Sequence, residues 1–217
     1  MKVFIVDMSK LKVDELRVNL SSYEASFAEN IQNSHAQERY IVSKAIVRKL
    51  LADTKPLKGV APSDIEIKVG SNGKPYVEGR PIYYNVSHSE DLLVVAIDNA
   101  EVGVDMEHMK ERNFKALTEY YFDGKESVIE RILQSADIKT EFYKQWTLTE
   151  AEIKLAGVGL FNWKQQNVRL IAKFHYSRVV NDEYMLTIAS NHAEITPDIV
   201  GYNEAKDNFS ICVAKAK

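Results

Sequence analysis

The sequence predicts an α+β fold, and three observations predict it. Strand-like segments at residues 82–86, 92–98 and 101–107 follow one another over links too short for crossover helices, which predicts an antiparallel meander. Helical periodicity occupies separate stretches, above all residues 35–53 and 140–156. After Glu107 the character changes from strands to helices, so each half reads as helices plus a few strands. The expected division is 1–100 and 101–217, with a seam near residue 100.

Taken in order, residues 2–7 (Lys-Val-Phe-Ile-Val-Asp) are β-rich and open the chain as a strand. Residues 12–30 are mixed and read as helical. Over 35–53, Ile41, Val42, Ala45, Ile46, Val47, Leu50 and Leu51 form a broad apolar stripe opposite Arg39, Lys44, Arg48 and Lys49. Pro56, Gly59 and Pro62 mark a connection, residues 65–69 alternate like a strand, and Ser71-Asn72-Gly73 signals a turn. Residues 113–122, 126–134 and 140–156 read as helices. Strands resume at 168–174, 184–188 and 209–213.

The 217 residues are 45% apolar and 27% charged, ordinary for a globular protein. A net charge of −3 argues against a general nucleic-acid binder, so an anionic ligand must be held by local groups. The single cysteine, Cys212, excludes an intramolecular disulfide and suits a reducing compartment; it reads as a core residue. The apolar run before Asp7 is too short for a signal peptide, and no segment has the length of a membrane span. A cytoplasmic protein, without membrane or nucleic-acid partners, is expected.

Four segments carry chemistry. Val102-Gly103-Val104-Asp105-Met106-Glu107 alternates, so the valines and Met106 face a core while Gly103, Asp105 and Glu107 face the other way. Two carboxylates side by side repel unless a cation sits between them, and a divalent metal is the usual resident. Gly73-Lys74-Pro75-Tyr76 is a stiff turn presenting a lysine. Asn85-Val86-Ser87-His88-Ser89 offers hydroxyls and an imidazole at a strand end, a cradle suited to phosphate. Finally, Trp146, Glu150 and Lys154 recur at i, i+4 and i+8 on one helix face. Singly, each has a structural explanation: a hydrated strand face, a solvated turn lysine, a structural histidine at a strand end, an exposed Glu–Lys pair.

In their order and spacing these segments resemble the 4′-phosphopantetheinyl transferases, specifically the larger surfactin-synthetase-activating type. Gly73-Lys74-Pro75, Asn85-Val86-Ser87-His88-Ser89, Val102 to Glu107 and Trp146-Thr147-x-x-Glu150-Ala151-x-x-Lys154 carry the likeness. It covers residues 73 to 160, with weaker similarity around Arg39. The resemblance implies a pseudo-twofold pair of α+β lobes, each a small antiparallel sheet with packed helices, and an active site in the cleft between them. It implies transfer of the phosphopantetheine arm of coenzyme A to a serine of an apo acyl, peptidyl or aryl carrier protein, releasing 3′,5′-ADP. By the same likeness Asp105, Glu107 and Glu150 hold Mg²⁺, with Mn²⁺ as an alternative, and Glu150 accepts the serine proton.

The resemblance further assigns His88 and Lys154 to the pyrophosphate, with Ser87 or Ser89 donating, Lys74 to the adenosine side and Arg39 to the 3′-phosphate. Glu126 matches a further family acid, within one residue of alignment. One departure stands out: residues 20–38 contain no Lys or Arg, where the larger family members carry basic residues that clamp the 3′-phosphate. Either Lys44, Arg48 or a backbone nest substitutes, or coenzyme A is held less tightly. The carrier footprint is expected at residues 113–122, through Phe114, Leu117, Tyr121 and Phe122, with Lys110, Arg112 and Lys115 meeting carrier acids. The two-lobed type needs no partner subunit to complete its site, so a monomer suffices. Two rivals use the same residues: a Mg²⁺-dependent pyrophosphohydrolase, and an inactive carrier- or coenzyme-A-binding module.

Overall fold

Helix, sheet, sheet and helix stack in four layers, and the sequence explains each interface. The computed structural model describes residues 1–158, 172–192 and 197–202. Strands β1 (Lys2–Asp7), β4 (Tyr83–Ser89), β5 (Leu92–Asp98) and β9 (Asp198–Tyr202) form one sheet in the order β4-β5-β1-β9. Strands β6 (Val102–His108), β8 (Tyr184–Ser190) and β7 (Phe174–Val180) form a second, ordered β6-β8-β7. A short hairpin of β2 (Ile67–Val69) and β3 (Pro75–Val77) stands apart. Every pairing is antiparallel except that of β9, which runs parallel to β1.

Alternation decides what each face touches. Phe4 and Val6 of β1, with Leu93, Val95 and Ile97 of β5, face the helix α3 (Ser34–Ala52), whose Ile41, Ala45, Ile46, Leu50 and Leu51 complete that core. The opposite face of the same sheet, Val3, Val94 and Ala96, packs on Val102, Val104 and Met106 of β6 and on Leu186 and Ile188 of β8. The outer face of the second sheet carries α6 (Ile138–Ala156), with Ala151 and Leu155 against Ala189. Helices α4 (Phe114–Tyr121) and α5 (Glu126–Leu133) close a third cluster against α6 around Phe122, Ile132 and Phe142. Two short helices, α1 (Val13–Leu16) and α2 (Ser22–Glu29), cover α3, and α2 starts with a capping box between Ser21 and Glu24.

The class is therefore α+β, with small sheets and packed helices as expected, but several elements differ from the sequence reading. The meander stops after β5. Both edges of β5 are taken, by β4 and β1, so β6 has no place beside it and joins β8 in the other sheet. The parallel strand β9 brings a segment from beyond residue 100 into the sheet built by β1, β4 and β5. The turn at Gly73-Lys74 runs directly into β3, so Pro75 and Tyr76 belong to a strand and not to the expected turn. A strand was expected at 168–174; β7 spans Phe174–Val180, and residues 168–171 lie outside the described residues, as do the expected strand at 209–213 and Cys212.

Candidate active site

The polar site lies where the edge strands of the two sheets meet, with α6 over them. Gly103, Asp105 and Glu107 face α6, opposite to the apolar residues of β6, as their alternation requires. At Gly103 the helix backbone lies directly on the strand. A Cβ there would collide with the Ala151 carbonyl oxygen and stand 2.5 Å from the Leu155 amide nitrogen. Trp146 at the other end of the stripe hydrogen-bonds Glu107 and packs against Tyr121, with ring centroids 4.4 Å apart and the ring planes tilted by 53°. Helix and strand thus run antiparallel, with their acids between these two contacts.

Asp105 is only 3% exposed. Its Oδ1 accepts from Ser87 Oγ at 2.8 Å and from Lys154 Nζ at 2.7 Å, and Lys154 also donates to Ser87 Oγ at 3.0 Å. Its Oδ2 is buried and has no hydrogen-bond partner among the described residues. Burial is the largest cause raising the Glu150 carboxyl to about 7; the Asp105 and Glu107 charges add to it and the Lys154 ammonium opposes it. Glu107 is raised for the same first reason and then by Asp105, against hydrogen bonds from Trp146 and Ser89. Two raised carboxyls beside the Asp105 side chain, with one ammonium among them, form a site that binds either protons or a further cation.

The same donors bear on a metal. Among the described residues, no group of three or more His, Cys, Asp or Glu converges tightly enough to hold an ion unaided. Mg²⁺ rarely asks for that; it takes one or two carboxylates and completes its shell with water and substrate phosphates. The unpartnered, buried Oδ2 of Asp105 beside two acids with raised carboxyls fits such an ion, with Asp105, Glu107 and Glu150 as the residues that could hold it.

The edge strand β4 faces β6 with a row of polar side chains in place of a backbone ladder. Asn85 Oδ1 accepts from the Val104 N–H at 2.9 Å, Ser87 Oγ from the Met106 N–H at 3.4 Å, and Ser89 Oγ from the His108 N–H at 2.9 Å. Both serine hydroxyls named from the sequence therefore point at β6 and its acids, Ser89 donating to Glu107 at 3.4 Å. Asn85 had no role in the sequence reading, although three polar residues at i, i+2 and i+4 on one strand face were a signal for it.

The remaining candidates fall into separate places. Arg39 of α3 and His88 of β4 stand together, Nη2 3.4 Å from Nδ1, with His88 exposed. Lys74 pairs with Glu101 and donates to the carbonyls of Leu155 at 2.9 Å and Val102 at 3.3 Å. Its stem, with Pro75, Tyr76, Tyr83, Tyr84 and Glu101, lines a cavity of about 330 Å³. Glu126 is the exposed first residue of α5. Arg48 cannot replace the missing basic residues: it is 4% exposed, ion-paired with buried Glu24, and donates to the carbonyls of Pro62 and Ile65 at 2.9 Å each. Lys44 lies over the Tyr40 ring, 5.7 Å from its centroid. Of the expected carrier footprint, Phe122 is buried, and Phe114, Leu117 and Tyr121 pack around the cluster of α4, α5 and α6. Tyr120, Arg112 and Lys115 are exposed.

The family described as the 4′-phosphopantetheinyl transferase superfamily matches residues 101–204, which contain β6, α6 and all three carboxylates. The 4′-phosphopantetheinyl transferase HetI of Nostoc sp. is 25% identical over 76% of this chain and 71% of its own length. The 4′-phosphopantetheinyl transferase psf-1 of Bacillus pumilus is 27% identical over 74% of this chain and 70% of its own. For the enzyme gsp of Aneurinibacillus migulanus the figure is 27% over 57% of this chain, and the match spans only half the length of that relative.

Proposed function

We propose that this chain, which matches the 4′-phosphopantetheinyl transferase superfamily over residues 101–204 and is similar to its members along most of its length, moves the phosphopantetheine arm of coenzyme A onto an apo acyl or peptidyl carrier protein. The observation that carries the reading is the buried Asp105, bonded to Ser87 and Lys154 through one oxygen and unpartnered at the other, beside Glu107 and Glu150. In the reaction the carrier serine Oγ attacks the phosphorus that bears the pantetheine. The pyrophosphate P–O bond breaks, 3′,5′-ADP leaves, and the serine proton passes to Glu150, directly or through water. Glu150, held near neutrality by burial and by its acidic neighbours, is suited to that exchange.

Asp105, Glu107 and Glu150 hold Mg²⁺, or Mn²⁺ in its place, together with the pyrophosphate. The ion supplies charge that offsets the pyrophosphate and the leaving ADP. Lys154 adds an ammonium beside the same acids. Arg39 takes the 3′-phosphate and His88 the pyrophosphate, from the pair they form at the end of β4. The adenosine lies toward Lys74, in the cavity walled by Tyr76, Tyr83 and Tyr84. In this reading the enzyme is the two-lobed type, a pseudo-twofold pair divided as 1–100 and 101–217 with the site between. It works in the cytoplasm; among the described residues no helix is long and apolar enough to cross a membrane.

The test is intact-protein mass spectrometry on a panel of apo carrier proteins mixed with this protein, coenzyme A and Mg²⁺. A carrier gain of one phosphopantetheine, lost with EDTA or when the carrier serine is replaced, is expected. Cleavage of coenzyme A without any carrier would make it a pyrophosphohydrolase. Coenzyme A binding with neither product would make it an inactive binding module.

A further inference from the structure

We infer that Lys74 is a positioning residue, whose ammonium clamps the C-terminus of α6 to the start of β6 and so sets Lys154 and Glu150 against Asp105. This deepens the reading above and rests on it for the identity of the acids. The clamp itself is read from geometry alone.

The turn that presents Lys74 is closed by its own backbone. The Gly70 N–H donates to the Lys74 carbonyl at 2.9 Å, the Gly73 N–H to the Gly70 carbonyl at 2.9 Å, and Gly73 adopts φ +85. Pro75 follows with its fixed φ, so the lysine stem leaves the hairpin in one direction. An ammonium has three protons to donate. Those of Lys74 meet three acceptors: the Glu101 carboxylate, the Val102 carbonyl at the first residue of β6, and the Leu155 carbonyl in the last turn of α6.

Leu155 explains why a cation belongs there. The last four carbonyls of an α-helix have no partner within it. Gly157, left-handed at φ +67, donates to Ile153 and Lys154, and the Val158 N–H also reaches Ile153 at 3.2 Å. Those bonds leave the Leu155 carbonyl to Lys74, and the ammonium also meets the negative end of the helix dipole. Glu101 keeps the charge balanced, so the clamp joins a hairpin, a strand and a helix end without leaving a bare cation.

The leverage on the site follows from sequence distance. Leu155 adjoins Lys154, and Glu101 lies four residues before Asp105. The Gly103 contact with Ala151 and Leu155 presses the same end of the helix onto the same strand. Trp146 on Glu107 holds the other end. Helix α6 is thus pinned at both ends of the acid cluster, and Lys74 is the pin that comes from outside the pair. An ammonium with all three protons engaged has none to give a ligand, which separates its role from that of the Lys74 stem on the wall of the adenosine cavity.

Two measurements on Lys74→Met, Lys74→Arg and Glu101→Gln test it. The first is amide hydrogen exchange at Gly157 and Val158, which needs no substrate. Lys74→Met should speed it about fivefold to tenfold, the size expected for losing a charged helix cap, with α3 unaffected and partial return in Lys74→Arg. The second is steady-state transfer at saturating carrier. Here kcat should fall about tenfold while KM for coenzyme A stays within about twofold, the signature of misplaced groups. A raised KM with kcat and exchange unchanged would overturn the clamp and make Lys74 a ligand contact. If Lys74→Met does not fold, Glu101→Gln, which loosens the ammonium and keeps the stem, reads both quantities. A wild type with no transferase activity would sink the proposed function, while the exchange data would still judge the clamp.

Discussion

Asp105 has one oxygen that is doubly hydrogen-bonded and one that is buried with nothing to bond. An unpaired buried acceptor is costly, which is why such atoms gather at functional sites. Asp105→Asn keeps the shape and removes the charge. Transfer should fall by about a hundredfold or more as charge stabilisation is lost, while the metal-free protein melts no lower than wild type because repulsion with Glu107 and Glu150 is relieved. Activity within a few-fold of wild type at limiting Mg²⁺ would remove Asp105 from the site. Glu150 yields a second prediction. Its folded carboxyl is raised from 4.5 to about 7, so the folded protein holds this proton more tightly than the unfolded chain does. Stability therefore declines as pH rises through that window. Calorimetry in EDTA should show the wild type losing ground to Glu150→Gln between about pH 5 and pH 8. A constant difference between the two proteins would contradict the burial of that carboxyl.

At the scale of elements, everything at the site depends on α6 lying directly on β6, and that closeness is possible because Gly103 has no side chain. Gly103→Ala must push helix from strand, since its methyl meets backbone atoms that no rotamer can move. A loss of about 1–3 kcal/mol is expected in urea unfolding, typical of overpacking, with transfer falling further than stability alone explains. Unchanged unfolding would mean that the helix sits further out. Much of this was legible beforehand. The alternation of Val102 to Glu107 gave both faces of β6, and the i, i+4, i+8 stripe gave the face of α6 that meets it, because both periodicities are local. Partners chosen across the chain were not. The capture of β6 by β8 follows from β5 having both edges filled, and the parallel pairing of β9 with β1 is non-local. Arg48 shows the limit for one residue: it looked like a solvated cation on the polar side of α3, but Glu24 of α2 and the carbonyls of Pro62 and Ile65 bury it.

For the whole molecule, the question is how two sheets that share no backbone ladder among the described residues hold a site between them at fixed register. Apolar packing of Val3, Val94 and Ala96 on Val102, Val104 and Met106 supplies cohesion, but apolar contact is non-directional. Register comes from β4, whose Asn85, Ser87 and Ser89 each receive one N–H of β6. An edge strand otherwise offers those groups to water or to another chain. Asn85→Ala leaves the buried Val104 N–H unpaired, at a cost of about 1–3 kcal/mol. It also loosens the residue next to Asp105, so transfer should fall too. Ser89→Ala, at the less buried end, should cost less. The decisive comparison is the double variant. If the three side chains act as one seam, breaking it at Asn85 lets β6 drift, and the Ser89 bond is already weakened when it is removed. The double loss in urea unfolding should then be smaller than the sum of the single losses, by more than the roughly 0.5 kcal/mol scatter of independent sites. Strict additivity would mean that each bond holds its own segment, and that the register of Asp105 against β4 is set by the apolar layer instead.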